Sequence, residues 1–339
     1  MRVPIVTTLG IEEFSGGAVT RKNSGTINAI YGKRADGTPF ATQRPGINIF
    51  EDCSAAAISD AAGRGVYYWD AVGAKYHVNH DTVYKDGYAG ALGVTLTAGT
   101  QRVEFFEVGD YLVIIDAENN EGWYIALGAS TTLVAMTGGT MVDFPPNQTP
   151  ALQLAKGGAV INGTLYVGCT NGEIWNSAVE DPTDWGSADF TTAEISPDDG
   201  VFIYPHSDHI CAVGTRSTEF FYDAANATGS PLNVRQDVSH ALGAADFNSA
   251  WAEYNSLYFV GQTPSGSLGV YLISNFSVNK VSDEDFDSML TTALITDEAS
   301  CMGSGLTAGG RSFYCLTIYF EPAGVIEPVA TYIFESNGI

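Results

Sequence analysis

Two Asn-Gly dipeptides, Asn162-Gly163 and Asn171-Gly172, sit inside one apolar stretch and constrain this chain more than any other feature. Ala159-Val160-Ile161 precedes the first, Thr164 to Gly168 lies between them, and Glu173 to Ser177 follows the second. An Asn-Gly pair between alternating apolar runs is a strong hairpin signal, because both central residues of a type I′ turn need a positive φ. Two such pairs predict a three-strand antiparallel meander. Asp181-Pro182-Thr183-Asp184-Trp185 closes the segment with a turn that delivers an aromatic to the next element.

A sheet of this kind has two apolar faces and buries neither alone, so recurrence of the pattern decides the fold. Gly65 to Trp69, Lys75 to Asn79 and Thr82 to Lys85 read as a first group of strands. Val94 to Leu96, Arg102 to Phe106, Tyr111 to Ile115 and Gly122 to Ile125 form a second, and a third runs from about Thr132 through Trp185. Val201 to Tyr204, Ile210 to Val213 and Glu219 to Tyr222 form a fourth; Ala250 to Tyr254, Leu257 to Val260 and Gly269 to Ile273 a fifth; Phe313 to Ile318 and Ala330 to Phe334 begin a sixth. Only Asp283 to Leu290 and the Thr291 to Ala299 region look helical, opening on an acidic, capped first turn. Groups of roughly 40 to 50 residues are the period of propeller blades. The expected fold is therefore all-β: a β-propeller of about six blades, with antiparallel sheets of three or four strands. A β-sandwich array and a right-handed β-helix compete, the latter with shorter and more uniform repeats than these.

Residues 1–40 read as an N-terminal arm and leading strand, and residues 41–339 as the propeller. The arm has turns at Gly16-Gly17, Lys22 to Gly25 and Arg34 to Gly37, a strand at Thr26 to Tyr31, and the early cations Arg21, Lys22, Lys33 and Arg34. It reads either as an arm docking on an acidic neighbour or as an ordered strand with loops.

The formal net charge is −24, from 15 Lys and Arg against 39 Asp and Glu. Such a surface repels nucleic-acid phosphates, which excludes a counterion-releasing DNA clamp. Solubility or a salty habitat is one reading of the acidity; a negatively charged wall that DNA slides past without sticking is the other. Five widely spaced cysteines (Cys53, Cys169, Cys211, Cys301, Cys315) without a CxxC predict neither a disulfide framework nor a zinc site. Cys169, Cys211 and Cys315 fall in apolar runs, as small core hydrophobes do. The N-terminus lacks the apolar region of a secretory leader, and no apolar run approaches the eighteen or so residues of a membrane span, so the sequence predicts folding in a reducing cytoplasm.

His77 and His80, and His206 and His209, have i,i+3 spacing, but strand geometry sends such a pair to opposite faces, and each pair straddles a turn. Asp116, Asp143, Asp184, Asp199 and Asp223 are the carboxylates that would have to converge on the axis of a propeller glycosidase. No nucleophile elbow, phosphate loop or HExxH occurs. Trp69, Trp123, Trp175, Trp185 and Trp251 recur about once per group, as blade-to-blade core packing or as exposed sugar-binding platforms. Asp283 to Asp287 reads as a solvated helix start, or as a contact for a basic partner. The sequence thus predicts no catalytic residue, no metal site and no cofactor.

In order along the chain come Arg44-Pro45-Gly46, Arg64-Gly65-Val66-Tyr67-Tyr68, Tyr84-Lys85-Asp86-Gly87 and Gly163-Thr164-Leu165-Tyr166. Ser177-Ala178-Val179-Glu180-Asp181-Pro182-Thr183-Asp184-Trp185, Asp199-Gly200 and Gly214-Thr215-Arg216-Ser217-Thr218-Glu219-Phe220-Phe221 follow. This pattern of turns and aromatics, over roughly residues 40–280, resembles the packaged-DNA stabilisation proteins of short-tailed bacteriophages, also called tail-hub or nozzle proteins. The resemblance implies a non-enzymatic β-propeller that assembles as a sixfold ring below the portal and adaptor. Such a ring extends the DNA channel, retains the genome without sequence-specific binding, and carries tail fibres, spikes or needles in the virion tail after assembly in the host cytoplasm. It also implies that the last blade is either closed by an N-terminal strand or incomplete. A carbohydrate-binding or carbohydrate-cleaving propeller is the alternative, recognisable by carboxylates from at least two blades meeting near the axis, and a receptor-binding tail module with an exposed aromatic tip is a third.

Overall fold

The computed structural model describes residues 29–33, 39–43, 63–136 and 153–336, apart from residues 89, 194, 197, 254, 297–298, 309–310 and 321–326. The Arg44-Pro45-Gly46 motif, the three arm turns, Asp143 and Cys53 lie outside the described residues. Two units divide the chain. One, residues 1–52 with 308–310, contains the hairpin of β1 (Ala29–Lys33) and β2 (Pro39–Gln43).

The second unit is a β-propeller of six antiparallel sheets. The first sheet is β3 (Gly63–Trp69), β4 (Ala74–Asn79), β5 (Thr82–Lys85) and β6 (Ala91–Thr95). The second is β7 (Glu104–Val108), β8 (Tyr111–Asp116), β9 (Glu121–Ala126) and the short β10 (Val134–Ala135). The chain then forms β11 (Lys156–Gly157) before entering the third sheet, β12 (Ala159–Ile161), β13 (Thr164–Gly168), β14 (Glu173–Asn176) and β15 (Phe190–Thr192). The fourth is β16 (Gly200–His206), β17 (His209–Gly214), β18 (Thr218–Asp223) and β19 (Leu232–His240). The fifth is β20 (Gly243–Glu253), β21 (Ser256–Gln262), β22 (Leu268–Ser274) and β23 (Ser277–Lys280). The sixth is β24 (Ser300–Ala308), β25 (Arg311–Phe320) and β26 (Glu327–Ser336).

Apolar side chains on facing sheets explain why the six stack. Trp69, Tyr76 and Val83 of the first sheet pack with Leu112 and Ile114 of the second. Val113 and Ile115 from the other face of β8 pack with Leu165 and Trp175 of the third. Three further clusters join sheets three to four, four to five and five to six. Strands such as β8 and β13 are therefore buried on both faces, which is why they read as continuous apolar runs rather than alternating ones.

Several boundaries differ from the sequence expectation. Val94 and Thr95, read as opening the second group, belong to β6, which pairs Thr95 with Thr82 and so completes the first sheet. The Asp86 to Gly90 connection makes this return possible through positive φ at Gly87 and Gly90, 72° and 103°. Val134 and Ala135, read as opening the third group, pair back onto β9. The half-exposed, polar β19 escaped detection because its pairing with β18 is interrupted by a bulge, which breaks the alternation. The Asn162-Gly163 turn is type I′ as expected, with φ of 51° and 77°. The Asn171-Gly172 turn is not: only Gly172 has positive φ, at 86°. Here the amide of Gly172 bonds the carbonyl of Cys169, and Cys169 donates to Glu173, giving a type I turn closed by a Gly bulge.

The fourth sheet exceeds the expected three or four strands, because β11 adds to it in parallel, with Lys156 opposite Phe202 and Gly157 opposite Ile203. Gly157 has φ of 77°, and a β-carbon there would lie 2.3 Å from the Ile203 carbonyl oxygen. Gly157→Ala is expected to cost roughly 1–3 kcal/mol through backbone strain and loss of this pairing; urea unfolding of the variant measures it. The helical expectation is met as far as Thr296 but not at Ala299, and a short 3-10 turn at Leu127–Ala129 falls outside it. Helix α1 (Glu284–Thr291) is capped by Asp283, whose carboxylate accepts the Phe286 amide at 3.0 Å, and one π turn over Thr292–Thr296 follows.

Candidate functional site

Turns and sheet-to-sheet connections from successive blades meet around a recess of about 620 Å³. Gln101 reaches it from the connection before β7, Glu118 from the β8–β9 turn, Lys156 from β11, Thr170 from the β13–β14 turn, and Asp246 and Phe247 from β20. Its volume suits a small molecule rather than a nucleic-acid duplex.

Charges of both signs fill the neighbourhood. Phe247 is buried, and its ring carries two cations: the Arg102 guanidinium at 4.9 Å and the Lys156 ammonium at 5.2 Å from the centroid. Arg102 pairs with Glu104 at 2.7 Å and donates to the Tyr204 hydroxyl at 3.0 Å. Lys156 also donates to the Gln101 side-chain carbonyl. Burial lowers the Lys156 pKa, while the charges of Asp246 and Glu118 pull it the other way. Burial raises the Glu104 carboxyl against the opposing pull of Arg102. Tyr204 is pushed up to about 12 by burial and by Glu104.

The two recess carboxylates come from different blades, yet both are occupied. Glu118 accepts backbone amides from Thr100 and Gln101 at 2.9 and 2.8 Å and the Arg64 guanidinium at 3.3 Å. Asp246 accepts the Asn248 amide at 2.8 Å and faces the Cys301 amide and thiol, each at 3.5 Å. Neither offers a free acid–base couple across an open cleft.

The described Asp residues that a propeller glycosidase would have to bring together are dispersed. Asp116 is buried under Arg64, Asp184 closes the turn after Asp181, Asp199 precedes β16, and Asp223 ends β18, where it accepts the Asn162 amide group at 2.6 Å. Asp246, which does reach the recess, announces itself only as a carboxylate in an otherwise apolar run, at a point where β20 departs from regular pairing with β21.

Among the described residues no group of three or more His, Cys, Asp or Glu is placed to hold a metal ion. His77 stacks on Tyr84 with centroids 5.1 Å apart, and His80 occupies a turn at φ of 56°, where its carbonyl accepts Arg64 at 3.1 Å. His206 and His209 flank the β16–β17 turn and both rings meet Phe276. Trp69, Trp123, Trp175 and Trp185 are buried in the clusters between sheets, and half-buried Trp251 stacks on Tyr314 at 6.4 Å, so packing is their role. Cys169, Cys211, Cys301 and Cys315 are buried. Of the acidic helix start, Asp283 caps α1 and Asp287 pairs with Lys280.

The motifs with the most distinctive sequences build turns. Within Ser177 to Trp185, Asp181 accepts the Thr183 amide and hydroxyl at 2.9 and 2.6 Å, and the Trp185 indole donates to the Pro182 carbonyl at 2.7 Å. Within Gly214 to Phe221, Asp198 accepts the amides of Arg216 and Ser217 at 2.6 and 3.0 Å, and buried Glu219 accepts those of Ile195 and Ser196.

Comparison with known proteins adds three findings. The sequence model of a family described as "Bacteriophage P22 Gp10, beta-propeller" matches residues 29–302. No curated protein sequence matches. Among solved structures, the N-terminal domain of Nup159 is 8% identical with a TM-score of 0.42, covering 81% of this chain and 74% of that one. The computationally designed Ika8 protein is 9% identical with a TM-score of 0.44, covering 91% and 84%.

Proposed function

The chain belongs to the phage-stabilisation family described as Bacteriophage P22 Gp10, beta-propeller, and from that premise we propose that it forms a nozzle-like hub ring in the phage tail. Membership makes it a virion-associated structural protein of a bacteriophage. In the proposed assembly, about six copies ring the channel below the portal and adaptor, hold the packaged genome, and carry fibres, spikes or a needle. The work is mechanical and electrostatic rather than catalytic.

One observation beyond family membership supports this reading: carboxylates far outnumber cations, and most of the cations whose environment is described are already engaged by a carboxylate or an aromatic ring. Arg64, Arg102, Arg235 and Lys280 are each ion-paired, and Lys156 lies over Phe247 in the recess. The outward field of a chain at −24 is thus acidic. Repulsion acts over roughly one Debye length, about 8 Å at physiological salt, enough to keep DNA centred and mobile in a narrow lumen. Retention then rests on constriction and on partner proteins. The small volume of the recess favours a DNA path between copies rather than through a single propeller.

The test is the mass of the purified chain alone and with a portal–adaptor complex, by native mass spectrometry. Six copies seated on the adaptor are the expected result; a chain that ignores the connector overturns the reading. Neutralising Asp and Glu at the lumen should also slow genome ejection, and unchanged ejection kinetics would remove the electrostatic part. The carbohydrate alternative keeps one observation in its favour, the meeting of Glu118 and Asp246 from two blades. Their backbone commitments argue for architecture, so Asp246→Asn is expected to leave glycan binding and hydrolysis at background.

A further inference from the structure

Three of the five histidines of the chain gather around one residue, Phe276. Asn275 and Phe276 form the tip of the β22–β23 hairpin, where Ser274 pairs with Ser277 and φ is 48° and 60° at the two tip residues. Positive φ is rare for a bulky aromatic, so this tip is held by what surrounds it. The ring of Phe276 enters the fourth sheet, with centroids 5.0 Å from His206, 4.8 Å from His209 and 5.2 Å from Phe220. The Arg235 guanidinium lies 4.4 Å above it. Both backbone groups of Phe276 are held by imidazoles. Its N–H donates to Nε2 of His206 at 3.3 Å, and its carbonyl accepts from Nε2 of His240 at 2.8 Å.

These two bonds respond oppositely to acid. The bond from His240 needs a proton on Nε2 and survives protonation of the ring. The bond to His206 needs a bare Nε2, and a proton there sets two donors against each other. We propose that Phe276 is a proton-operated catch between the fourth and fifth sheets, released when His206 takes up a proton. The inference is independent of the assembly proposed above.

The surrounding charges agree with this assignment. From the β16–β17 turn, Asp208 bonds the His209 ring at 2.6 Å, and the shared hydrogen bond lowers the Asp208 pKa. From β18, Tyr222 lies 6.2 Å from that ring. From β19, Arg235 is paired with Asp237 and His240 holds the Phe276 carbonyl, while the hairpin tip itself brings no charge. A cationic His206 would therefore face His209, with both nearby carboxylates already engaged. Burial, and then the neighbouring His209, lower the His206 pKa below its ordinary 6.5. Because the folded value is depressed, the unfolded chain binds the proton first. The catch is complete above about 6.5 and weakens as the pH falls below it.

Hydrogen exchange of the intact chain, followed by mass spectrometry on peptides spanning Ser274 to Lys280 and corrected for intrinsic rates, tests this at pH 7.5 and 5.0. Protection at the hairpin tip should fall severalfold on acidification. His206→Gln keeps an acceptor that does not titrate and should remove the acid response. His240→Gln retains a donor to Phe276 and should preserve it; this second variant decides the matter if the first fails to fold. Equal protection at both pH values in the unaltered chain, an acid response that persists in H206Q, or one abolished in H240Q overturns the proposal.

Discussion

Replacing Arg64 with Met is expected to lower the stability of the chain by about 3–5 kcal/mol, the cost of leaving a buried charge without its partner. Arg64 and Asp116 are both fully buried, 2.7 Å apart, in different sheets. The same guanidinium donates to the carbonyls of Gln101 at 2.7 Å and His80 at 3.1 Å, and to Glu118. One side chain thus ties β3 to the connection leading into β7, to the β4–β5 turn and to the β8–β9 turn. Met matches the volume but makes none of these bonds, and Asp116 keeps only the Asn119 side chain and the nearby amides of Glu118 and Asn119. Urea unfolding followed by tryptophan fluorescence gives the difference. The double variant Arg64→Met with Asp116→Leu should recover a large part of the loss, because an apolar pair replaces a stranded charge. A single variant as stable as the parent would show that the pair is hydrated rather than buried.

A loss of similar size, about 3–5 kcal/mol, is expected for Trp175→Ala. Trp175 is buried against Val113, Ile115 and Leu165, stacks on Phe190 at 4.6 Å, and donates from its indole to Glu173 at 2.9 Å. Truncation opens a cavity between the second and third sheets, where both backbones are fixed by their own ladders and collapse is limited. Were Trp175 a sugar platform instead, the substitution would spare stability and abolish glycan binding. Calorimetry with a glycan panel separates the two outcomes.

These two residues also show how far the sequence could be read. Trp175 was legible because it sits in an alternating run next to a turn signal, and periodicity reports burial. The six-sheet plan was legible for the same reason. Arg64 was visible only as the first residue of a motif, because its partners are 16 to 54 positions away along the chain. Pairing of that kind leaves no local pattern. Asp246 and Lys156 escaped on the same grounds, since a recess assembled from several blades is a property of their closure. The Asn171-Gly172 turn failed differently: the dipeptide is compatible with two hairpin geometries, and the bond from Gly172 to Cys169 selects the one with a bulge.

The parallel strand β11 has a consequence for how this fold can be rearranged. In a repeat array each unit is ordinarily a cassette that can be duplicated, deleted or exchanged. Here Lys156 and Gly157 precede the third sheet in the chain but belong to the fourth. Excising residues 159–192 as a cassette would leave the preceding strand attached to its neighbour, and transplanting them would separate them from it. Recombination is therefore easier at the connection between β19 and β20, where sheet boundary and chain boundary coincide. A backbone nick at residues 241–242 should be tolerated, whereas one at residue 158 leaves the β11 pairing to be made from a free chain end.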